Sequence, residues 1–364
     1  MKKIIIIIIA VVFILAVAFG IYFGWKKSRE ILEPPITNQQ PIIDNQQQAI
    51  AEQRLKIISN QSVSGHLINN AATSSQIFYF NQDGQILRIK ADGGEETISE
   101  RIIENIQKIE ASKDGKKAII KFGDKNNQQF EIFDVEKNIW QQIRNASAAA
   151  FSPDGKQIVY FDGVDLMVKN LFDPKQKTQK ILSLSQKDFD LKWIASDRVL
   201  LLPKQSSLIS VDIWEINLKT KALKIFARDK GLTVNFAKDN SIGLKFSVND
   251  NGEGILQLIG NSGAIMANLN FLTLPDKCSV NLSKIYCAVP QSYNMIKEPV
   301  LPDDYLKRAV YSNDFIYELD LEKNALLPVF EENKQPIDAI NFELLGNKLF
   351  FINRYDNRLY QLEL

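Results

Sequence analysis

The sequence predicts an all-β fold, a seven-bladed β-propeller, and three observations predict it. A turn followed by an apolar-rich strand returns seven times, opening at Gln76, Lys117, Gln157, Arg198, Ile242, Lys284 and Lys348. The openings are spaced by 41, 40, 41, 44, 42 and 64 residues, and a period of about 40–45 with several short strands per unit is that of a four-stranded blade. The last repeat stops one strand short at Leu364, while a spare strand-like segment stands upstream of the first. The same period would accommodate six or eight blades; seven is the number of phrases.

Taken in order, residues 1–29 are a different material from the rest. Met1-Lys2-Lys3 leads into an unbroken apolar run from Ile4 to Trp25, closed by Lys26, Lys27 and Arg29. At about 1.5 Å per residue this run reaches roughly 33 Å, enough to cross a hydrocarbon core of about 30 Å. A single transmembrane helix over 4–25 is therefore expected, since buried core helices are shorter and amphipathic. Ala16-Val17-Ala18 has the form of a signal-peptidase site, but seven more apolar residues follow it, which favours a retained anchor over a cleaved signal. Basic residues flank both ends, so positive-inside counting leaves orientation open. A short N-tail before a large domain suits a signal-anchor. The expected address is the cytoplasmic (inner) membrane, single-pass, with the N-terminus cytoplasmic and the propeller extracytoplasmic.

Residues 30–53 hold Pro34-Pro35, Pro41 and repeated Gln and Asn, a composition that cannot build a core and reads as a disordered tether. The chain carries 44 Lys/Arg against 43 Asp/Glu, and residues 54–364 are neutral, so the basic excess of a nucleic-acid binder is missing.

Residues 54–364 are the predicted propeller. Its clearest turn is Phe151-Ser152-Pro153-Asp154-Gly155-Lys156, where proline sets the first turn dihedral and Gly155 supplies positive φ. Ala111 to Gly115 and Phe236 to Asn240 are weaker copies. Third strands with alternating character follow, such as Phe130-Glu131-Ile132-Phe133 and Ile213-Trp214-Glu215-Ile216, then outer strands at Glu95 to Ser99, Gln179 to Ser183, Leu223 to Ala227 and Leu326 to Phe330. The seventh repeat lacks an outer strand. Arg54 to Ser59 resembles Gln179 to Ser183, so it is expected to pair with Arg358 to Leu362 and close the ring, covering an edge that would otherwise invite aggregation. Closure places the tether on the face of the third-to-fourth turns, with the opposite face distal to the membrane. The one large insertion, Pro290 to Asn313, falls between the second and third strands of the sixth repeat, on that distal face.

The wording Phe-Ser-Pro-Asp-Gly-Lys-x-Ile-x-Tyr-Phe at Phe151 to Phe161 resembles the repeat of TolB-like propellers, a class of bacterial envelope proteins. The resemblance covers about residues 65–364 in spacing, and only the third repeat carries the full phrase. It implies a propeller and an envelope address, but its motif specifies a hairpin, so no functional residue transfers. TolB itself has six blades and a preceding α/β domain, whereas here there are seven phrases and an anchor. WD-repeat propellers match less well, since no Trp-Asp dipeptide occurs.

Residues that could carry chemistry are few. His66 is the only histidine, so any triad or His-ligated metal would rest on it, and a structural or exposed role is expected. Asp162/Asp165 and Asp250/Glu253 lie at turns without calcium-loop spacing and read as solvated turns. If Leu282-Ser283 is a two-residue hairpin turn, Cys278 and Cys287 face each other on a non-hydrogen-bonded rung, compatible with a disulfide; two buried thiols is the alternative. In the insertion, Asp303 would cap a short helix presenting Tyr305 and Arg308. With Asp304 and Lys307 they form a candidate partner-binding loop; the alternative is that the insertion simply packs over the rim.

No catalytic, cofactor or metal constellation is visible. The expected function is a non-catalytic, membrane-tethered scaffold binding a protein or cell-envelope polymer and no nucleic acid. The alternatives are a propeller enzyme of hydrolase, lyase or lactonase type with its site at the central channel, and a small-solute sensor.

Overall fold

The computed structural model describes residues 54–364, apart from 71–74, 125–126, 174–175, 187, 282–283, 324 and 332–334. The expected anchor over 4–25, the tether over 30–53 and the Leu282-Ser283 turn lie outside the described residues. Among those residues, no helix is long and apolar enough to cross a membrane.

The strands pair into five sheets of four and one of seven, antiparallel throughout, with neighbours in the chain adjacent in the sheet. Each sequence repeat supplies a first strand, the turn, a second strand, then the third and fourth. The sheet of seven spans repeats four and five, which share one strand, Leu223–Phe236. Sequence reasoning stopped this element at Ala227 as an outer strand. The structure carries it on, because Arg228 to Leu232 contains no proline, and Gly231 at φ 61° with a bulge between Lys230 and Thr233 redirects the chain without a loop. Its early part pairs with Ser210–Asn217 as a fourth strand, and its later part pairs with Ile242–Val248 as a first strand.

The chain ends meet in the remaining sheet. Leu55–Ile57 pairs with Arg358–Glu363, with Leu55 opposite Leu362 and Ile57 opposite Tyr360. Arg54 Nε donates to the Glu363 carbonyl at 2.9 Å, and Arg358 Nε donates to the Ser59 carbonyl at 2.8 Å. Antiparallel order then sets two faces. The second-to-third loops and the starts of the first strands lie on one; the first-to-second turns, and Leu55 at the start of its strand, lie on the other.

Burial follows the same circle. Clusters of apolar side chains sit between successive repeats, from Leu67, Phe80, Phe122 and Phe133 between one and two to Tyr286, Ile316, Phe351 and Tyr360 between six and seven. A further cluster sets Ile352 and Leu359 of repeat seven against Val63, Tyr79 and Leu87 of repeat one. The sheets therefore close on themselves face to face, which is the architecture of a β-propeller.

The repeated turn works as its residues dictate. Gly155 takes φ 68°, its N–H donates to the Ser152 carbonyl at 2.8 Å, and Asp154 Oδ1 accepts from the Ser152 hydroxyl and the Lys156 N–H. Ser112, Asp114 and Gly115 repeat the arrangement in the second repeat.

Candidate functional site

Two regions gather polar side chains: the loop face carrying the insertion, and the channel bounded by the first strands.

The insertion is more ordered than its sequence suggested. The second strand of repeat six, Lys284–Tyr293, and the third, Ser312–Asp320, extend into it and pair as far as Tyr293 opposite Ser312, past a bulge at Pro290. Only 294–311 is irregular, and it holds one short helix, α1 (Asp303–Leu306). Asp303 does not cap that helix. Pro302 occupies the cap position, and Asp303 instead accepts the Ser207 N–H at 2.6 Å, from the second-to-third loop of repeat four. The insertion therefore reaches past repeat five to repeat four. Asp304 folds back on its own segment, accepting the Val300 N–H at 2.8 Å.

Tyr305 corrects the expectation of a presented recognition residue, being 6% exposed. It is drawn inward by a buried charge cluster. Lys277 Nζ, with three N–H groups to share, lies within hydrogen-bond reach of four oxygens: Asp314 Oδ2 and Asp338 Oδ1, both at 2.7 Å, Tyr305 Oη at 2.9 Å and Ser312 Oγ at 3.1 Å. Arg354 donates to the other Asp338 oxygen at 3.0 Å and lies 4.0 Å from the Tyr305 ring centroid. Two cations face two carboxylates, so the buried charge cancels. Burial alone would lower the Lys277 pKa, but Asp314, Tyr305 and Asp338 together hold it well above its ordinary value. Burial pushes the Asp314 carboxyl up, whereas at Asp338 the same penalty is outweighed by Lys277 and Arg354, which hold its carboxyl down. The cluster clamps the insertion onto repeats six and seven.

Apolar and basic side chains are among those that remain exposed on this face. Leu208 and Ile209 of the repeat-four loop stand beside the insertion, which itself exposes Met295, Ile296, Val300 and Leu306. Lys307 and Arg308, of the five residues expected to bind a partner, are the two that stay exposed.

The channel is a cavity of about 580 Å³ lined by the first strands of all seven repeats, with Leu306 of the insertion among its lining residues. Four lysines (Lys108, Lys113, Lys192, Lys238) and four carboxylates (Glu110, Asp190, Asp276, Glu343) face it. The carboxylates do not form a bare acid pair. Lys108 Nζ sits 3.5 Å from Glu110 and 3.7 Å from Asp190, and Lys238 hydrogen-bonds Glu343. Burial in the ring opposes the charge on Lys108, yet Glu110, Asp190 and Asp276 push its pKa up to about 12, and 45% of the side chain reaches channel solvent. Lys192 shows the opposite balance. Burial lowers its pKa despite Glu110 and Asp276, and its ammonium donates to Asn235 Oδ1 at 3.2 Å. Burial likewise raises the Asp276 carboxyl, against Lys192 and Lys108.

His66 also faces this channel, with its side chain only 3% exposed; of the structural and exposed roles expected for it, the buried one is realised. Burial lowers its pKa, against the pull of Glu343, so the imidazole is neutral and its 3.7 Å approach to Glu343 is not an ion pair at neutral pH. Neither ring nitrogen has a hydrogen-bond partner among the described residues, and the same holds for Trp193 Nε1. No group of His, Cys, Asp and Glu among the described residues could hold a metal ion. Cys278, at the channel wall of repeat six, lies opposite Cys287 of the second strand, and the two are joined as a disulfide.

Sequence reasoning missed every charged channel residue. Their signal was the alternation Lys108-Ile109-Glu110 and Asp190-Leu191-Lys192 on first strands, which puts the charges on one side of each strand.

A closed ring of antiparallel sheets around a polar channel defines the chain as a β-propeller. The comparisons agree at the level of fold. The Cps50 (Swd1) β-propeller domain of Myceliophteria thermophila superposes with a TM-score of 0.54 at 12% identity, covering 85% of this chain and 99% of that one. The C-terminal WD40 domain of Sif2 gives 0.52 at 11%, covering 85% and 98%. A catalytically inactive virginiamycin B lyase from Staphylococcus aureus, with quinupristin, gives 0.52 at 13%, covering 85% and 99%. No family model matches the chain, and no curated protein matches it.

Proposed function

We propose that this chain is a non-catalytic, seven-bladed propeller, tethered to the cytoplasmic membrane of a bacterium by residues 4–25, that binds a protein or envelope polymer through its insertion-bearing face. One observation carries the reading: the insertion is fixed by a buried, charge-neutral clamp, yet leaves Ile296, Val300, Lys307 and Arg308 exposed beside Leu208 and Ile209. Rigid, exposed apolar and Arg side chains on an ordered scaffold are the composition of an interaction patch. The disulfide between Cys278 and Cys287 supports an oxidising, extracytoplasmic location. The start of the closing strand at Leu55, on the other face, supports a distal position for the patch.

The channel carboxylates favour a second reading, an enzyme with its site on the axis, but three of the four stand beside a lysine. Crosslinking followed by capture from native membranes tests the first reading. Wild type should enrich a partner, and the double variant Leu208→Asp, Ile296→Asp should lose it while keeping its melting temperature. Equal enrichment with the variant would refute the patch.

A further inference from the structure

We infer that the channel is a binding site for a neutral, polyhydroxylated ligand, a mono- or disaccharide. The inference is independent of the surface patch.

The charge pattern disfavours a ligand of one net charge and an apolar one. Lysines and carboxylates are equal in number and intermixed around the wall. An anion drawn to Lys108 would meet Glu110 and Asp190 within 3.7 Å of the same ammonium. A cation drawn to Asp276 would meet Lys192 and Lys108, whose fields already act on that carboxylate. An apolar ligand would strip water from eight charged groups, at a cost no apolar contact would return. A neutral ligand rich in hydrogen-bonding groups is what remains.

The spacing of the groups narrows this to hydroxyls. The Lys108–Asp190 and His66–Glu343 approaches of 3.7 Å lie beyond hydrogen-bond length. A hydroxyl oxygen both donates and accepts at one atom, so it can give its proton to the carboxylate and accept from the ammonium. An amide N–H or a carbonyl can do only half of this. Two residues of the wall also hold ring nitrogens with no protein partner among the described residues: both nitrogens of His66, 97% buried by side chain, and the indole N–H of Trp193. The Asp276 carboxylate, open to the channel, is held only by the longer-range fields of Lys192 and Lys108. Asn235 is arranged differently: its oxygen accepts from Lys192 and its Nδ2 donates to the Pro275 carbonyl at 3.2 Å, fixing the ammonium in the wall. Phe342 adds apolar ring surface of the kind a sugar's C–H face covers. A cavity of about 580 Å³ is within the size range of small-molecule sites and suits one or two pyranose rings.

The test is calorimetric titration of the full chain, kept in a sugar-free detergent. The probes are glucose, N-acetylglucosamine, cellobiose and diacetylchitobiose, with citrate and putrescine as charged comparators. Saturable one-to-one binding of at least one sugar is expected. It should weaken about tenfold or more in Asp276→Ala and in Lys108→Met, the scale of one lost charge-assisted hydrogen bond. Both variants should keep the wild-type thermal melt, and Leu208→Asp, Ile296→Asp should bind sugar normally, separating this site from the surface patch. The inference is overturned if no sugar binds, if citrate or putrescine binds instead, or if both channel variants bind sugar as wild type does.

Discussion

Two glycines in the same turn show how far one atom decides tolerance. Gly115 and Gly155 share φ of 68°, but a Cβ on Gly115 would stand 1.8 Å from the Ile68 carbonyl oxygen, whereas one on Gly155 meets nothing closer than 3.8 Å. Gly155→Ala should cost only the left-handed conformation, about 1 kcal/mol, and Gly115→Ala should exceed it by several kcal/mol because backbone must move. Denaturant unfolding of the two variants measures the difference. His66 gives a second residue-scale expectation, since it is the one histidine in the chain. Its folded-state pKa lies below the unfolded value of about 6.5, so the unfolded chain takes up the proton first as pH falls. The stability that the neutral ring contributes is complete above that pH and declines below it. Unfolding free energies at pH 7.5 and 5.5 should therefore differ more in wild type than in His66→Gln. Burial raises the Asp276 and Asp314 carboxyls, which gives the opposite slope, but both remain in the variant and cancel in the comparison. Equal slopes would refute the assignment.

At the level of elements, the insertion depends on its clamp. Asp338→Asn leaves Lys277 and Arg354 buried with one carboxylate fewer, a defect of about 3–5 kcal/mol. It should show as a lower melting temperature and faster proteolysis within 294–311; unchanged cleavage would mean the insertion is held some other way. The Cys278–Cys287 bridge closes a loop of nine residues, for which chain entropy gives at most about 2.5 kcal/mol. Native protein treated with an alkylating agent and no reductant should carry no label; two labelled thiols would remove the support for an oxidising compartment. Much of this scale was legible in the sequence. Strand phrases, turn residues and the register that sets Cys278 against Cys287 all follow from local spacing. The clamp was not, because residues 277, 305, 314, 338 and 354 meet only when the repeats stack, and no local pattern marks Tyr305 as inward-facing. The channel charges were hidden for a related reason: alternation shows which residues share a side of a strand, but only the ring shows that this side faces the axis.

At the largest scale, the sheets of residues 54–364 form a circle joined by one short strand. Deleting 54–59 uncovers the edge of the last sheet and the contacts of Arg54 and Ser59, so it should lower the melting temperature sharply and promote aggregation. A variant that melts as wild type does would show the ring holds without it. The closing strand also has a consequence for how the chain is made. Its partners are about 300 residues away, so forming those pairs requires the longest loop closure in the fold. Domains begin to fold from the N-terminus during synthesis, yet Leu55–Ile57, made before every other strand of the ring, has no mate until Arg358–Glu363 emerges. Throughout translation the nascent chain therefore carries one unsatisfied edge at each end of a growing arc. That interval is when a chaperone would matter most, and it ends only when a tripeptide finds its place.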